Sequence, residues 1–265
     1  MTTPEGEAKR IFGERAARYT TSTAHTDPQV LARVVELAAP RSDWVSLDIA
    51  TGTGHTAFAL AGHVRLVVGV DLTPEMLVES KRLQADRGIG NVVYGLADVH
   101  HLPFPSGTFH LITSRRAPHH FSRIGQALSE MHRVLRSGGR LVIDDRSVPE
   151  DDFVDDCMNR LDRYHDPSHV RQYRPSEWRQ MVTARGFTVD VLECYTKHRP
   201  LTAFTDDVSP ENVRGIHEAL AGLTPGQQAA LNLQHVKGQV FLNHWYVTVS
   251  CTKDERGGHP TGHRS

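Results

Sequence analysis

The sequence predicts an α/β fold: a Rossmann-like, mostly parallel, seven-stranded sheet with an antiparallel final strand and a helical cap. Three observations carry this. Strand and helix patterns alternate five times between Trp44 and Ile143, and such alternation demands parallel strands joined by right-handed crossovers. The run Leu66–Val70 is apolar throughout, as strands buried on both faces are. After Asp145 the pattern changes, and Phe187–Cys194 and Val240–Val249 alternate apolar with polar residues, which suits antiparallel pairing.

Residues 1–40 read as a helical lead-in. Ile11, Phe12, Ala16 and Tyr19 recur at helical spacing, and Thr20–Thr23 breaks the pattern. Asp27-Pro28 starts a second helix, with Asp27 as N-cap and Pro28 in the first turn, and Pro40 ends it. Trp44–Ile49 is the first strand, Thr56–His63 a helix and Leu66–Val70 the second strand. Thr73-Pro74-Glu75 opens the next helix with an N-cap, a proline and an early acid, and Gly88 and Gly90 close it. Asn91–Tyr94 and Phe109–Thr113 are the third and fourth strands. Ile124–Leu135 is a helix ended by Gly138-Gly139, and Arg140–Ile143 is the fifth strand. Helices follow at Phe153–Tyr164 and Pro175–Arg185, then around Ile216 and Gln227. The division expected is a lead-in at 1–40, a core at 41–200 and 239–252, a helical insertion at 205–238 and a disordered tail at 253–265.

The chain has 265 residues and a formal net charge of -1, enough length for one large α/β domain. Neutrality argues against a nucleic-acid partner, which favours a basic face. No apolar run approaches the roughly 18–20 residues that cross a bilayer, and the polar start MTTPEGEAKR lacks a signal-peptide core. Three scattered cysteines imply no disulfide framework, so the expected compartment is the cytoplasm. Seventeen histidines invite a metal, but His100-His101 and His119-His120 are adjacent pairs without ligand spacing. No metal site is expected, and most histidines are expected at the surface.

The stretch Val45–Gly54 (VSLDIATGTG), followed by Asp71, is the most informative feature. It reads as a strand ending in Asp48, a glycine turn at Gly52 and Gly54, a helix, and a second strand ending in Asp71. Glycine permits positive φ and close approach of a ligand. A dinucleotide carries a pyrophosphate and disfavours acids beside such a loop. S-adenosylmethionine carries an ammonium and a sulfonium and no phosphate, so it favours them. Asp71 stands where a ribose-binding acid belongs. Gly52, Gly54 and Ala57 also fit the dinucleotide fingerprint G-x-G-x-x-A, so a nicotinamide cofactor is the rival reading.

The stretches LDIATGTGHTAFAL, VVGVDLTPEML, ADVHHLPFPSGTFHLI, APHHF and ALSEMHRVLRSGGRLVI appear in an order that resembles the class I S-adenosylmethionine-dependent methyltransferases. Within them the chain is similar to the ubiquinone and menaquinone biosynthesis group, from about Phe12 to Phe187. The runs DPSHVR, SEW and ARGF look like one bacterial branch, and Ala50 departs from a frequent glycine. The resemblance implies a class I methyltransferase fold and assigns cofactor contacts. Asp48, Ala50 and the Gly52–Gly54 backbone would hold the amino-acid end, and His55 the methionine moiety. Asp71 would take the ribose hydroxyls, Leu72 and Met76 flank adenine, Asp98 and Val99 meet its amino group, and Tyr19 covers the ligand.

Ligands of open α/β sheets lie off the carboxyl ends of the strands. Ser114, Arg115, Arg116, His119 and His120 would therefore face the transferred methyl. Histidine suits a general base by its pKa. His120 or His119 is the candidate, with His169 outside; the competing reading is that the pair only shapes the pocket. Arg115 and Arg116 would meet an anionic acceptor or the cofactor carboxylate, or pair with Asp144 or Asp145. Phe153, Tyr164, His165 and Phe204 are expected to line the acceptor site. The expected function is methyl transfer to a small-molecule acceptor; a homodimer is an open possibility, and the oligomeric state is not fixed by the sequence. The alternative is a cofactor-binding member with a non-methylating or regulatory role.

Overall fold

A computed structural model describes residues 4–254. The lead-in forms α1 (Pro4–Tyr19), α2 (Thr23–Thr26) and α3 (Pro28–Ala38). Asp27 caps α3 as expected, accepting from Gln29 N at 3.0 Å and Val30 N at 3.3 Å. Then come β1 (Val45–Ile49), α4 (His55–Ala61), β2 (Leu66–Asp71), α5 (Pro74–Asp86), β3 (Val92–Leu96) and β4 (Phe109–Arg115). A 3-10 turn, Pro118–His120, precedes α6 (Ile124–Val134) and β5 (Leu135–Ser147). The rest comprises α7 (Asp152–His165), α8 (Pro175–Thr183), β6 (Phe187–Pro200), α9 (Thr202–Thr205), α10 (Pro210–Ala221), α11 (Pro225–Ala230), β7 (Gln234–Val236) and β8 (Gln239–Lys253).

The sheet order is β3-β2-β1-β4-β5-β8-β6. β1 to β5 pair in parallel, and β8 runs antiparallel between β5 and β6. This is the expected seven-stranded path with its antiparallel last strand; the three-residue β7 adds a small hairpin on β8. β5 differs from expectation. It begins at Leu135, directly after α6, and residues between Leu135 and Arg140 bulge out of the β4 ladder around Gly138 at φ 67. It also runs on to Ser147, which carries Asp144 and Asp145 into the sheet. Lys253, placed by expectation in the tail, instead ends β8, and its Nζ donates to His132 O and Leu135 O at the end of α6. The remaining tail lies outside the described residues.

Two apolar layers sandwich the sheet. Ala127, Leu128 and Met131 of α6 and Trp178 and Val182 of α8 pack on Leu47, Ile112, Ile143 and Val249. Val34 and Leu37 of α3 and Ala57 and Leu60 of α4 pack on the opposite face against Val67, Leu111 and Val142. A third cluster joins α7 (Val154, Met158, Leu161) to Leu201, Phe204, Ile216, Leu220 and Leu231. The cap therefore includes α7 as well as the 205–238 helices. Burial of this apolar surface, at about 25 cal/mol per Å², fixes the carboxyl ends of β1, β2 and β4 beneath the lead-in and the cap.

Candidate active site

β1 ends at Ile49, and the loop to α4 turns sharply. Ala50 sits at φ 52 and Gly52 at φ 54. A Cβ on Gly52 would meet no protein atom within 4 Å, so this glycine faces open space. Gly54, at φ 89, has another task. A Cβ there would collide with Ser80 Oγ and come within 2.7 Å of the Phe58 ring, so Gly54 lets α4 pack closely.

The loop amides are turned inward. Thr51 N donates to Val70 O at 2.9 Å, Gly52 N to Asp71 Oδ2 at 2.8 Å and Gly54 N to Thr51 O at 2.9 Å. Asp71 is also held through Oδ1 by Thr73 N at 2.9 Å. Thr73 thus meets the acid through its backbone; its side chain makes no cap to α5. Asp48 is buried and accepts from Thr51 Oγ1 at 2.6 Å and Thr113 Oγ1 at 2.7 Å. Burial pushes its carboxyl up to about 6, against the pull of those two hydroxyls. Burial likewise raises Asp71, opposed by the Thr73 and Gly52 amides.

These groups line one cleft. Asp48, Ala50, Gly52, His55, Asp71, Leu72, Met76, Asp98, Val99, Arg115 and His120 border it, with Tyr19 above; of the expected cofactor residues only Gly54 does not. His55 Nε2 lies 3.1 Å from Tyr19 O, tying the end of α1 to the glycine loop. Asp98 is a local cap too: its Oδ1 accepts from His100 N at 2.8 Å and meets His100 Nδ1 at 2.6 Å. His100 is buried, and so are His55, His119, His169 and His244.

Arg115 is spent internally. Its Nε donates to Thr56 Oγ1 at 3.0 Å, Nη1 to Ala24 O at 3.4 Å and Nη2 to His25 O at 2.5 Å. It locks α2 onto β4 rather than offering a free fork. Arg116 takes the ion-paired role, 3.2 Å from Asp144 Oδ1 and stacked 3.7 Å over the Tyr246 ring.

A second cavity adjoins the first under the cap. Tyr19, His25, Arg116 and His120 border both, while His119, Arg146, His165, Asp166, His169 and Arg199 border the second alone. Of the four cap residues expected there, only His165 lines it. Phe204 is fully buried in the cap cluster, with Phe153 and Tyr164 packed around it. The three site histidines do converge: ring centroids are 4.0 Å apart for His119 and His120 and 5.8 Å for His119 and His169.

Their free nitrogens follow from their partners. His119 Nδ1 lies 2.6 Å from Asp145 Oδ1, and its backbone N donates to Oδ2 at 2.8 Å. Burial drives His119 well below the ordinary histidine range and Asp145 up to about 7. His120 Nδ1 faces Ser168 O at 3.2 Å. A carbonyl only accepts, so Nδ1 carries the proton and Nε2 the lone pair. Among the described residues no group of three or more His, Cys, Asp or Glu is placed to hold a metal ion, and no helix is long and apolar enough to cross a membrane.

The cofactor implied by the sequence fits this cleft. Glu5, Asp48, Asp71 and Asp98 line it, while the Thr51, Gly52 and Gly54 amides of its loop are used within the protein. The comparisons with known proteins agree. Residues 47–143 match the methyltransferase domain family. The uncharacterized methyltransferase YcgJ of Bacillus subtilis (strain 168) is 37% identical over 173 residues, covering 65% of this chain and 68% of YcgJ. Its crystal structure superposes with a TM-score of 0.80 at 28% identity, covering 85% of this chain and 98% of that one. Demethylmenaquinone methyltransferase of Thermus thermophilus is 40% identical over 139 residues, covering 50% of this chain and 63% of that protein. The chain belongs to the class I S-adenosylmethionine-dependent methyltransferases. It is an enzyme of that family, and the cleft described above lies at the carboxyl ends of its parallel strands.

Proposed function

We propose that the protein methylates a small-molecule acceptor held in the second cavity, with S-adenosylmethionine in the first. One observation carries the cofactor reading: the glycine-loop amides point onto Asp71, Val70 and Thr51, leaving a cleft edged by carboxylates. A pyrophosphate would find acids there in place of donors, whereas an ammonium and ribose hydroxyls find acceptors. Asp48 and Gly52 would hold the amino-acid end, Asp71 the ribose, Leu72 and Met76 the adenine faces, and Asp98 and Val99 its edge. Tyr19 and His55 would close the cleft from the lead-in side.

When bound, this cofactor supplies a methyl carbon on a sulfonium, open to in-line displacement by an acceptor lone pair. The protein's share is largely placement, worth up to about 7–11 kcal/mol in favourable cases. His120 borders both cavities and presents Nε2 as a lone pair. It takes the proton that the acceptor's oxygen, nitrogen or acidic carbon gives up as the new bond to methyl forms. His119, bound to Asp145 and facing only the second cavity, shapes the acceptor site. The demethylmenaquinone methyltransferase relative acts on a small molecule, as its name states, which supports the acceptor class. We place the enzyme in the cytoplasm because its three scattered cysteines imply no disulfide framework.

The test is product release. Purified protein with saturating S-adenosylmethionine is screened against hydroxylated and acidic small molecules for S-adenosylhomocysteine formation, then repeated with His120→Ala. A loss of about 10²-fold or more supports the base role, and a loss under threefold removes it. Cofactor binding without turnover on any acceptor would favour the non-methylating alternative.

A further inference from the structure

The run Asp166-Pro167-Ser168-His169-Val170-Arg171 has no part in the cofactor cleft, yet the fold holds it against the Pro118–His120 turn. Val170 N donates to His119 O at 2.9 Å and Arg171 N to the same oxygen at 3.1 Å. Arg171 is anchored in turn by Asp155 and Glu177 at 3.0 Å each. The segment is therefore a fixed support, pinned from both sides.

We propose that Ser168 and Asp166 form a relay behind His120 that fixes its ring and stabilises its protonated form. Ser168 Oγ lies 3.1 Å from His120 Nδ1 and donates to Asp166 Oδ1 at 2.7 Å. The hydroxyl has one proton, and Asp166 receives it. Ser168 Oγ therefore accepts from His120 Nδ1–H, which agrees with the neighbouring Ser168 O, an acceptor only. Ser168 N also donates to Asp166 Oδ1 at 2.9 Å, so the carboxylate is held on the axis of the chain. Ser168 and Asp166 are both buried, which keeps water from competing.

The relay holds protons and does not pass them. Nδ1–H stays on His120 and the hydroxyl proton stays on Ser168. When Nε2 accepts the acceptor's proton, the imidazolium charge is matched by an ionised carboxylate one hydroxyl away. Burial favours the neutral acid at Asp166, but the His120 charge and the two Ser168 hydrogen bonds outweigh it and hold the carboxyl below its ordinary value. Ser168 borders neither cavity and is a positioning residue; Asp166 borders the acceptor cavity, and its part in the relay is played through Ser168. The other titratable and charged groups that face His120 are His119 on its own turn, His169 on the support, Asp145 and Arg146 from β5, Arg116 after β4, and Arg15 from α1.

The consequence for catalysis rests on His120 being the base, but the relay itself is tested without an acceptor. The experiment is an NMR pH titration of the His120 ring in the S-adenosylhomocysteine-saturated protein, its signal assigned by its loss in His120→Ala. Ser168→Ala and Asp166→Asn are each expected to lower the ring pKa by about one unit, and Ser168→Thr, which restores a hydroxyl, to return it. Asp166→Asn keeps an acceptor for Ser168 N, and Ser168→Ala serves if it fails to fold. An unchanged ring pKa in Ser168→Ala and Asp166→Asn overturns the relay, as does a fall that Ser168→Thr does not reverse. Turnover of His120→Ala above one third of wild type would sink the base reading separately and leave the relay standing.

Discussion

Asp48 gives a prediction whose size follows from its surroundings. Its carboxyl titrates at about 6 in the free protein because it is buried. At pH 7 the free cleft is then about nine-tenths ionised at this position, and at pH 5 about one-tenth. A cationic ligand binds the ionised form, so binding at pH 5 must first remove a proton. The affinity for S-adenosylmethionine should fall about tenfold between pH 7 and pH 5, or about 1.4 kcal/mol. The sign is fixed by the direction of the shift: the bound state holds fewer protons, so acid weakens binding, and above about pH 7 Asp48 contributes no further change. Calorimetric titration at pH 5, 6, 7 and 8, in buffers of different ionisation enthalpy, reads both the affinity and the released proton. Asp48→Asn should bind about tenfold more weakly at pH 7 and lose the slope. A flat wild-type profile refutes the argument, and so does a slope that survives Asp48→Asn, which would belong to Asp71.

Other consequences follow from the backbone and the core. Ala50 at φ 52 carries the left-handed cost that glycine avoids, so Ala50→Gly should raise stability by about 1 kcal/mol in urea unfolding; a loss contradicts that account. Gly54→Ala combines positive φ with contact on Ser80 and Phe58, and should cost about 2–4 kcal/mol in the same assay. His244 is held well below the ordinary histidine range, chiefly by burial and then by Arg146 and Arg199. It stays neutral in the folded chain while the unfolded chain protonates it below about 6.5. Its contribution is present above that pH and lost below it, at about 1.4 kcal/mol per unit. His244→Phe should therefore gain about 2 kcal/mol relative to wild type between pH 7.5 and pH 5, and an equal pH response in both proteins would contradict this.

Most of the fold, and the meeting of the Val45–Asp71 residues at one cleft, was legible because both rest on local sequence. A wholly apolar run such as Leu66–Val70 has no stable place except inside a parallel sheet, and the strand, loop and acid of Val45–Asp71 lie close together in the chain. Boundaries failed where local signals conflict. Gly138-Gly139 reads as a helix stop, yet the chain uses it as a bulge inside β5. The acceptor cavity was harder to read, since Arg15, His25, Arg146 and Asp166 reach it from four distant segments. Aromatic residues of α7 and α9 were expected to line that cavity, but the cap needs a core of its own and buries Phe204 in it. The DPSHVR run was visible as a pattern, but its purpose depends on contacts with His119 and His120, more than forty residues earlier.

The proposed cofactor site is the cleft edged by Asp48, Asp71 and Asp98. Calorimetric titration of wild type and Asp71→Ala with S-adenosylmethionine, S-adenosylhomocysteine and a nicotinamide dinucleotide tests it most directly. Micromolar binding of the first two is expected, weakened tenfold or more (about 1.4 kcal/mol) by Asp71→Ala, with none of the dinucleotide. Tight dinucleotide binding, or affinity for S-adenosylmethionine that Asp71→Ala leaves unchanged, would contradict it.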